Sequence, residues 1–190
     1  MSAVGVKERE IKLSISDVDG AKKTLLLHGF EFEGSCLDWD VYYAHPCRDF
    51  AKSDEALRFR RRVCGSLREY EVTYKGPRAK GGVLKVREEL EVRVDESTWY
   101  LLRAIVERLG FALLAEFTKE RDLYRARGLE ASVDTLYGVG YFVEIELQGD
   151  VEETRLTALL RDLEKSSGAR IVDKTYLEIC LETGKCKGLE

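Results

Sequence analysis

A chain of 190 residues is long enough to bury a full hydrophobic core without staples, and residues 1–190 read as one domain. With 35% charged and 44% hydrophobic residues it is neither a disordered polymer nor a membrane-embedded one, and no apolar run reaches a membrane span. The net charge of −4 leaves no overall basic field for nucleic acid, and Met1-Ser2-Ala3-Val4-Gly5 is too short for a signal peptide, so the expected location is the cytoplasm.

The predicted elements come in repeating order. Glu8-Arg9-Glu10-Ile11-Lys12-Leu13 opens a strand. A helix follows, weakened by Gly20 in its first turn, with Leu25, Leu26 and Leu27 as its apolar side and Gly29 as its stop. Strands are expected over 57–63 and 69–75, then a mobile loop from Gly76-Pro77 to Gly81-Gly82, then a strand over 83–94. Asp95 can cap a second helix carrying Leu101, Leu102, Ile105, Val106 and Leu109, and Gly110 ends it. Strands over 117–125, 130–136 and 141–148 precede a third helix carrying Leu156, Leu159, Leu160 and Leu163 up to Gly168, and a last strand is expected over 174–181.

The opening hexapeptide returns 81 positions later as Glu89-Leu90-Glu91-Val92-Arg93-Val94. Gly29-Phe30 returns as Gly110-Phe111, and Tyr43 as Tyr124. A looser third copy starts at Glu144-Ile145-Glu146-Leu147-Gln148. Too few copies at too long a period exclude a solenoid; a duplicated strand–helix–strand unit closing into one domain fits.

Alternation along the strands sorts charge from apolar surface. Lys85, Arg87, Glu89, Glu91 and Arg93 share one face, as do Glu144 and Glu146, Glu8, Glu10 and Lys12, and Arg58, Arg60 and Arg62. Stacked arginines repel unless an anion sits among them, and paired glutamates concentrate charge suited to a cation. Segregated basic and acidic clusters therefore suit a phosphate chain chelated to metal, and a closed barrel of about eight strands could turn this face inward; the same pattern also fits the solvated face of an open antiparallel sheet with helices on its other side. On this reading, removing a glutamate from its like-charged cluster leaves apo stability unchanged or higher. Phe117 and Leu123 share parity with Lys119 and Arg121, which calls for a bulge in that strand or for strand ends outside the pleat.

His28 and His45 are the only histidines, and Cys36, Cys47, Cys64, Cys180 and Cys186 show no CxxC spacing. Zinc, haem iron and a histidine-based triad are disfavoured, so any metal would be a hard cation on carboxylates. The cysteines read as small buried residues, although Cys180 and Cys186 could pair if the source is a hyperthermophile. The lack of Asn and the single Gln148 give the composition a thermophile-like cast. Trp39 and Trp99 read as packing residues.

The ExExK of Glu8, Glu10 and Lys12 resembles the signature of the CYTH superfamily, the triphosphate tunnel metalloenzymes. Asp40-Val41-Tyr42-Tyr43, Leu57-Arg58-Phe59-Arg60, Thr73-Tyr74-Lys75-Gly76-Pro77, Lys119-Glu120-Arg121, Val133-Asp134, Gly138 through Glu146 and Lys174-Thr175-Tyr176-Leu177 follow in the family's order. The later motifs look most like the class IV adenylyl cyclase branch, although Lys174 stands where those cyclases tend to have Arg. The resemblance implies an α+β fold dominated by a closed antiparallel eight-stranded β-barrel with helices outside, a possible homodimer, and Mg²⁺- or Mn²⁺-dependent work on a triphosphate such as ATP or tripolyphosphate. By position it assigns metal to Glu8, Glu10, Glu144 and Glu146, with Asp134 a helper. It assigns phosphate to Lys12, Arg58, Arg60, Lys75, Lys119 and Arg121, with Arg87, Glu89 and Lys174 second-rank members of the site. Lys12, Arg58, Arg60 and Glu144 are the expected catalytic residues. The implied reaction is ATP to cyclic AMP and pyrophosphate. The alternatives are a triphosphatase releasing orthophosphate and a non-catalytic polyphosphate- or nucleotide-binding module.

Overall fold

The computed structural model describes residues 6–79, 85–148 and 153–188. The chain runs β1 (Val6–Ile15), α1 (Val18–Leu27), β2 (Glu31–Ala44), α2 (Phe50–Ser53), β3 (Ala56–Cys64), β4 (Leu67–Lys75) and β5 (Lys85–Val94). It continues α3 (Glu96–Arg108), β6 (Ala112–Ala126), β7 (Leu129–Leu136), β8 (Gly140–Leu147), α4 (Glu153–Ser167), β9 (Arg170–Ile171) and α5 (Tyr176–Thr183). Strands β1 to β8 are hydrogen-bonded antiparallel in the order β5-β4-β3-β2-β6-β7-β8-β1, and a β1–β5 pairing closes the ring. β9 adds two residues against β1.

The internal repeat is a pseudo-two-fold of this ring. β1 pairs with its copy β5, and β2 pairs with its copy β6. Phe32 lies opposite Tyr124, and Tyr43 opposite Leu113, so each pair maps onto the other under the 81-residue offset. Even the irregularities correspond: the β2–β6 register shifts between Phe32 and Gly34 and between Tyr42 and Tyr43, leaving Glu33 and Leu114 as the extra residues. No bulge lies near Lys119, where the pairing with both neighbours is continuous.

Pleat alternation divides the apolar surface. Ile11, Leu13, Leu129, Val133, Val143 and Ile145 face outward and are covered by Ala21 and Leu25 of α1 and Leu159 and Leu163 of α4. Val41, Tyr43 and Phe59 face outward under α3, where Trp99 is fully buried against Trp39, Phe59 and Tyr70. A third cluster lies inside the ring: Tyr42, Ala56, Phe117, Leu136 and Phe142 pack against Tyr176, Ile179 and Cys180 of α5. Helix α5 thus plugs one end of the barrel.

That plug corrects two expectations. Residues 174–181 form mainly helix, because Thr175 and Glu178 make a reciprocal capping box and Gly184 closes the far end with a left-handed φ of 61°. Phe117 points inward beside Lys119 because α5 brings apolar surface into the interior for it to meet. The short helix α2, unheralded by any apolar stripe, is capped by Asp49. Cys180 and Cys186 form the disulfide that the sequence allowed, whereas Cys36–Cys64, linking β2 and β3, stands where small buried cysteines were expected; Cys47 is exposed. The described part of the 76–82 loop is pinned, since Arg78 donates to Asp54, Glu178 and the Asp173 carbonyl; residues 80–84 lie outside the described residues. No helix among the described residues is long and apolar enough to cross a membrane.

Gly20, the apparent flaw of the first helix, is a packing device. A Cβ there would lie 2.2 Å from the Ser166 carbonyl oxygen, and the Ser167 carbonyl accepts from the Ser16 and Asp17 amides beside it. Gly20→Ala would gain about 1 kcal/mol of helix propensity but must push α1 off α4. The clash wins: the variant is expected to lose about 1–3 kcal/mol in denaturant unfolding, opposite in sign to the propensity gain.

Candidate functional site

The inner face of the ring surrounds a cavity of about 430 Å³ lined by charged side chains. Its most buried feature is a ladder of carboxylates and guanidiniums across β2 and β3. Register places Asp40 opposite Arg60 and Asp38 opposite Arg62. Arg60 forks onto Asp40 at 2.6 and 2.8 Å, and Arg62 forks onto Asp38 at 2.7 and 2.8 Å. Lys119, from β6 on the other side of β2, donates to Asp40 at 3.2 Å. On β4, Glu71 accepts from Arg58 and from Thr73, and Lys75 pairs with Glu89 at 2.6 Å.

The opposite wall comes from β1, β6, β7 and β8. Lys12 sits 3.2 Å from Glu144, its partner in register, and donates to the Lys174 carbonyl at 3.3 Å. Arg121 bridges Glu144 and Asp134, reaching Asp134 Oδ2 at 2.6 Å. The Tyr176 hydroxyl donates to that same oxygen at 2.7 Å. One step along the strands, Glu10 lies directly opposite Glu146 on β8. The Glu8 side chain lies outside the described residues.

Burial would raise the carboxyls of Asp38, Asp40, Glu71 and Glu144; the cations beside them decide otherwise. Arg60 and Lys119 hold Asp40 well below the usual carboxylate range, and Arg60 with Arg62 does the same for Asp38. Lys12 and Arg121 depress Glu144, and Arg58 and Arg60 bring Glu71 down to about 2. Lys119 loses the contest: burial and the Arg121 and Arg60 guanidiniums lower its ammonium to about 8, although Asp40 and Asp38 oppose them. Burial and the charge on Asp134 raise the Tyr176 hydroxyl, so it remains a donor.

Of the residues expected to serve phosphate, Lys12, Arg58, Arg60, Lys119 and Arg121 converge on the cavity. Lys75 lines it in its pair with Glu89. Arg87 also lines it but spends its guanidinium on the Gly76 and Asp54 carbonyls, and Lys174 pairs with Glu182 on the exposed outside. Asp134 and Glu144 hold cations. Glu10 and Glu146 line the cavity together. Among the described residues no three Asp, Glu, His or Cys side chains are grouped closely enough to hold a metal.

The anion that relieves the stacked arginines includes the protein's own Asp38, Asp40 and Glu71. Asp38 and Asp40 alternate on β2 opposite Trp39 and Val41, so pleat parity could have found them. Relief is incomplete, however. Arg58 Nε and Arg121 Nε are buried with no hydrogen-bond partner, as is Asp134 Oδ1.

Residues 6–178 match the CYTH domain family. The chain belongs to the CYTH family. It is 34% identical over 178 residues, 90% of this chain and 97% of the other, to a Methanocaldococcus jannaschii protein provisionally named an adenylate cyclase. The solved PH1819 protein of Pyrococcus horikoshii superposes with a TM-score of 0.74 at 31% identity, covering 93% of this chain and 99% of that one. A Hippeastrum structure, HpAC1, provisionally called an adenylyl cyclase and described by a dominant triphosphatase activity, shares the fold at 22% identity. Its TM-score is 0.68, covering 95% of this chain and 97% of that one. The closed antiparallel ring is the fold this chain shares with these solved structures.

Asp40 is the residue whose loss the site should feel most. Asp40→Asn leaves the buried Arg60 and Lys119 with only the more distant Asp38, at 3.4 and 3.9 Å, as counter-charge and is expected to cost about 3–5 kcal/mol at neutral pH. The folded pKa of Asp40 is depressed, so its contribution is complete above about pH 4, where the unfolded carboxyl is ionised, and fades as pH falls below that. Urea unfolding from pH 7 to pH 2 should therefore show the gap between wild type and variant closing in acid.

Proposed function

We propose that this protein binds a triphosphate inside its ring and cleaves it with Mg²⁺ or Mn²⁺, in the manner of a class IV adenylyl cyclase converting ATP to cyclic AMP and pyrophosphate. The observation that carries the reading is unused hydrogen-bond donor capacity on cations of the cavity wall: the orphaned Arg58 Nε and Arg121 Nε, with Lys119 between Arg60 and Arg121. Guanidinium and ammonium donors already stripped of water suit phosphate oxygens, and the fold has met their desolvation cost in advance. A phosphate chain entering here exchanges carboxylate partners for its own oxygens.

The donor set fits a hard divalent cation, since every candidate ligand is a carboxylate. Glu10 and Glu146 would hold it, with Glu8 next along β1 and Glu144 next along β8. When bound, such an ion neutralises phosphate oxygens as charge shifts in transfer. The chain's own part is positional. Lys12, Arg58, Arg60, Lys119 and Arg121 fix the phosphates in line with the attacking oxygen, Glu144 and Asp134 aim Lys12 and Arg121, and α5 closes one end of the ring against water.

A ribose 3′-hydroxyl attacking the α-phosphorus expels pyrophosphate; water attacking a terminal phosphorus expels the shorter chain and yields orthophosphate. The first reading draws on the Methanocaldococcus relative's provisional name, the second on the Hippeastrum neighbour's triphosphatase activity. Incubation with ATP, and separately with tripolyphosphate, under Mg²⁺ and Mn²⁺ at warm and high temperature decides between them. Cyclic AMP with pyrophosphate establishes the cyclase, and orthophosphate with tripolyphosphate preferred establishes the triphosphatase. Binding of both without turnover at any temperature refutes the enzyme reading.

Two variants probe the site itself. Glu144→Gln should lower turnover by about a hundredfold, the scale of losing one preorganised charge. It should also lower apo stability, because Glu144 is paired with Lys12 and Arg121 rather than crowded by other carboxylates. Tripolyphosphate affinity should weaken as pH rises through about 8, where Lys119 loses its proton. Lys119→Met should flatten that limb in calorimetric titrations from pH 7 to pH 9.

A further inference from the structure

Tyr176 enters the barrel from the first turn of α5, just after the Thr175 cap. The face of its ring lies 3.7 Å from Lys12 Nζ and 4.8 Å from Lys119 Nζ. Its hydroxyl meets Asp134, the carboxylate that Arg121 also engages. Lys12 in turn donates to the Lys174 carbonyl, two residues before the tyrosine, so ring and lysine fix one another.

One uncharged side chain therefore touches two ammoniums on the cavity wall and the carboxylate that aims a third cation. A carboxylate in its place would neutralise an ammonium on contact. An aromatic face attracts a cation through its quadrupole and leaves both the net charge and the remaining N–H donors available to an anion. We infer that Tyr176 is a positioning residue for phosphate binding: its ring holds Lys12 and Lys119 in place while leaving them charged for the triphosphate. The inference rests on the proposal that the ring binds a triphosphate, and it assigns to the plug helix a part in binding beyond closing the barrel.

Three variants separate this role from simple packing. Tyr176→Phe keeps the ring and loses the hydroxyl. Tyr176→Leu loses the ring. Ile179→Ala loosens α5 within the same apolar cluster without touching either lysine. Two readouts apply to each: the ε-methylene NMR signals of Lys12 and Lys119 in the ligand-free protein, and calorimetric titration with tripolyphosphate, with melting temperature recorded alongside. Wild type and Tyr176→Phe should both show ring-current-shifted lysine signals and bind within about threefold of each other. Tyr176→Leu should lose the shifts and bind about tenfold to thirtyfold more weakly, the scale of a desolvated cation–π contact. Ile179→Ala should melt earlier yet keep its affinity within about threefold. Wild-type affinity in Tyr176→Leu overturns the inference, and so does an Ile179→Ala variant as weak as Tyr176→Leu. If wild type itself fails to bind tripolyphosphate, the triphosphate reading fails and the inference falls with it, an outcome distinct from either.

Discussion

Asp40 is almost completely removed from water, yet it stays charged, because Arg60 forks onto it and Lys119 reaches it from the neighbouring strand. Without Asp40 and its fellows Asp38, Glu71, Glu144 and Asp134, the interior of the ring would be a column of guanidiniums and ammoniums repelling one another. A buried ion pair adds little net stability once both partners have been dehydrated. Its contribution here is placement: each cation is held by a short, directional contact before any ligand arrives. The geometry on one wall therefore follows from Asp38, Asp40 and Glu71, and on the other from Glu144 and Asp134.

The division of labour between the two faces of each strand is what makes this possible. Outward residues meet α1, α4 and α3 and supply the ordinary apolar burial that offsets chain entropy. The inner face is thereby freed to carry charge. The pseudo-two-fold relates β1 to β5 and β2 to β6, but the inner face breaks it. Only one end of the barrel is filled by the apolar cluster around α5, and the tail beyond α5 is stitched to the sheet where the Lys187 carbonyl accepts from the Thr118 amide. The asymmetry gives the cavity a floor and a direction.

Much of this was legible in residue order because the pleat has a period of two and helices announce their caps. Lys12, Arg58, Arg60 and Glu144 could be placed on charged faces from parity alone, and the 81-residue repeat foretold which strands are equivalent. Asp38 goes unread, and Asp40 reads only as part of a motif with no role of its own, because they lie between Trp39 and large apolar neighbours, where two acids look like interruptions rather than a face. Residues 174–181 looked like a strand because Tyr176, Ile179 and Cys180 suit a pleat. The Thr175–Glu178 capping pair was the competing signal, and it prevails because the barrel interior offers that helix an apolar berth. Phe117 misled for the same reason, since inward-facing apolar residues make sense only once something apolar is inside. The Cys36–Cys64 link depends on strand register, which spacing along the chain does not reveal.

The matched bulges at Glu33 and Leu114 set a limit on how this chain can change length. Each extra residue reverses which way the following side chains point, so Phe32 faces outward while Asp38, at the same parity, faces in. Losing the extra residue itself would set Phe32 beside Gly34 opposite Tyr124 and Leu123, or Leu113 beside Ala115 opposite Tyr43 and Tyr42, and every side chain would keep its face. Losing a residue elsewhere in β2 or β6 would instead exchange inward for outward side chains on one side of the gap. Each long strand can therefore shed a residue without harm at one place, and the repeat has put that place at equivalent positions in both halves.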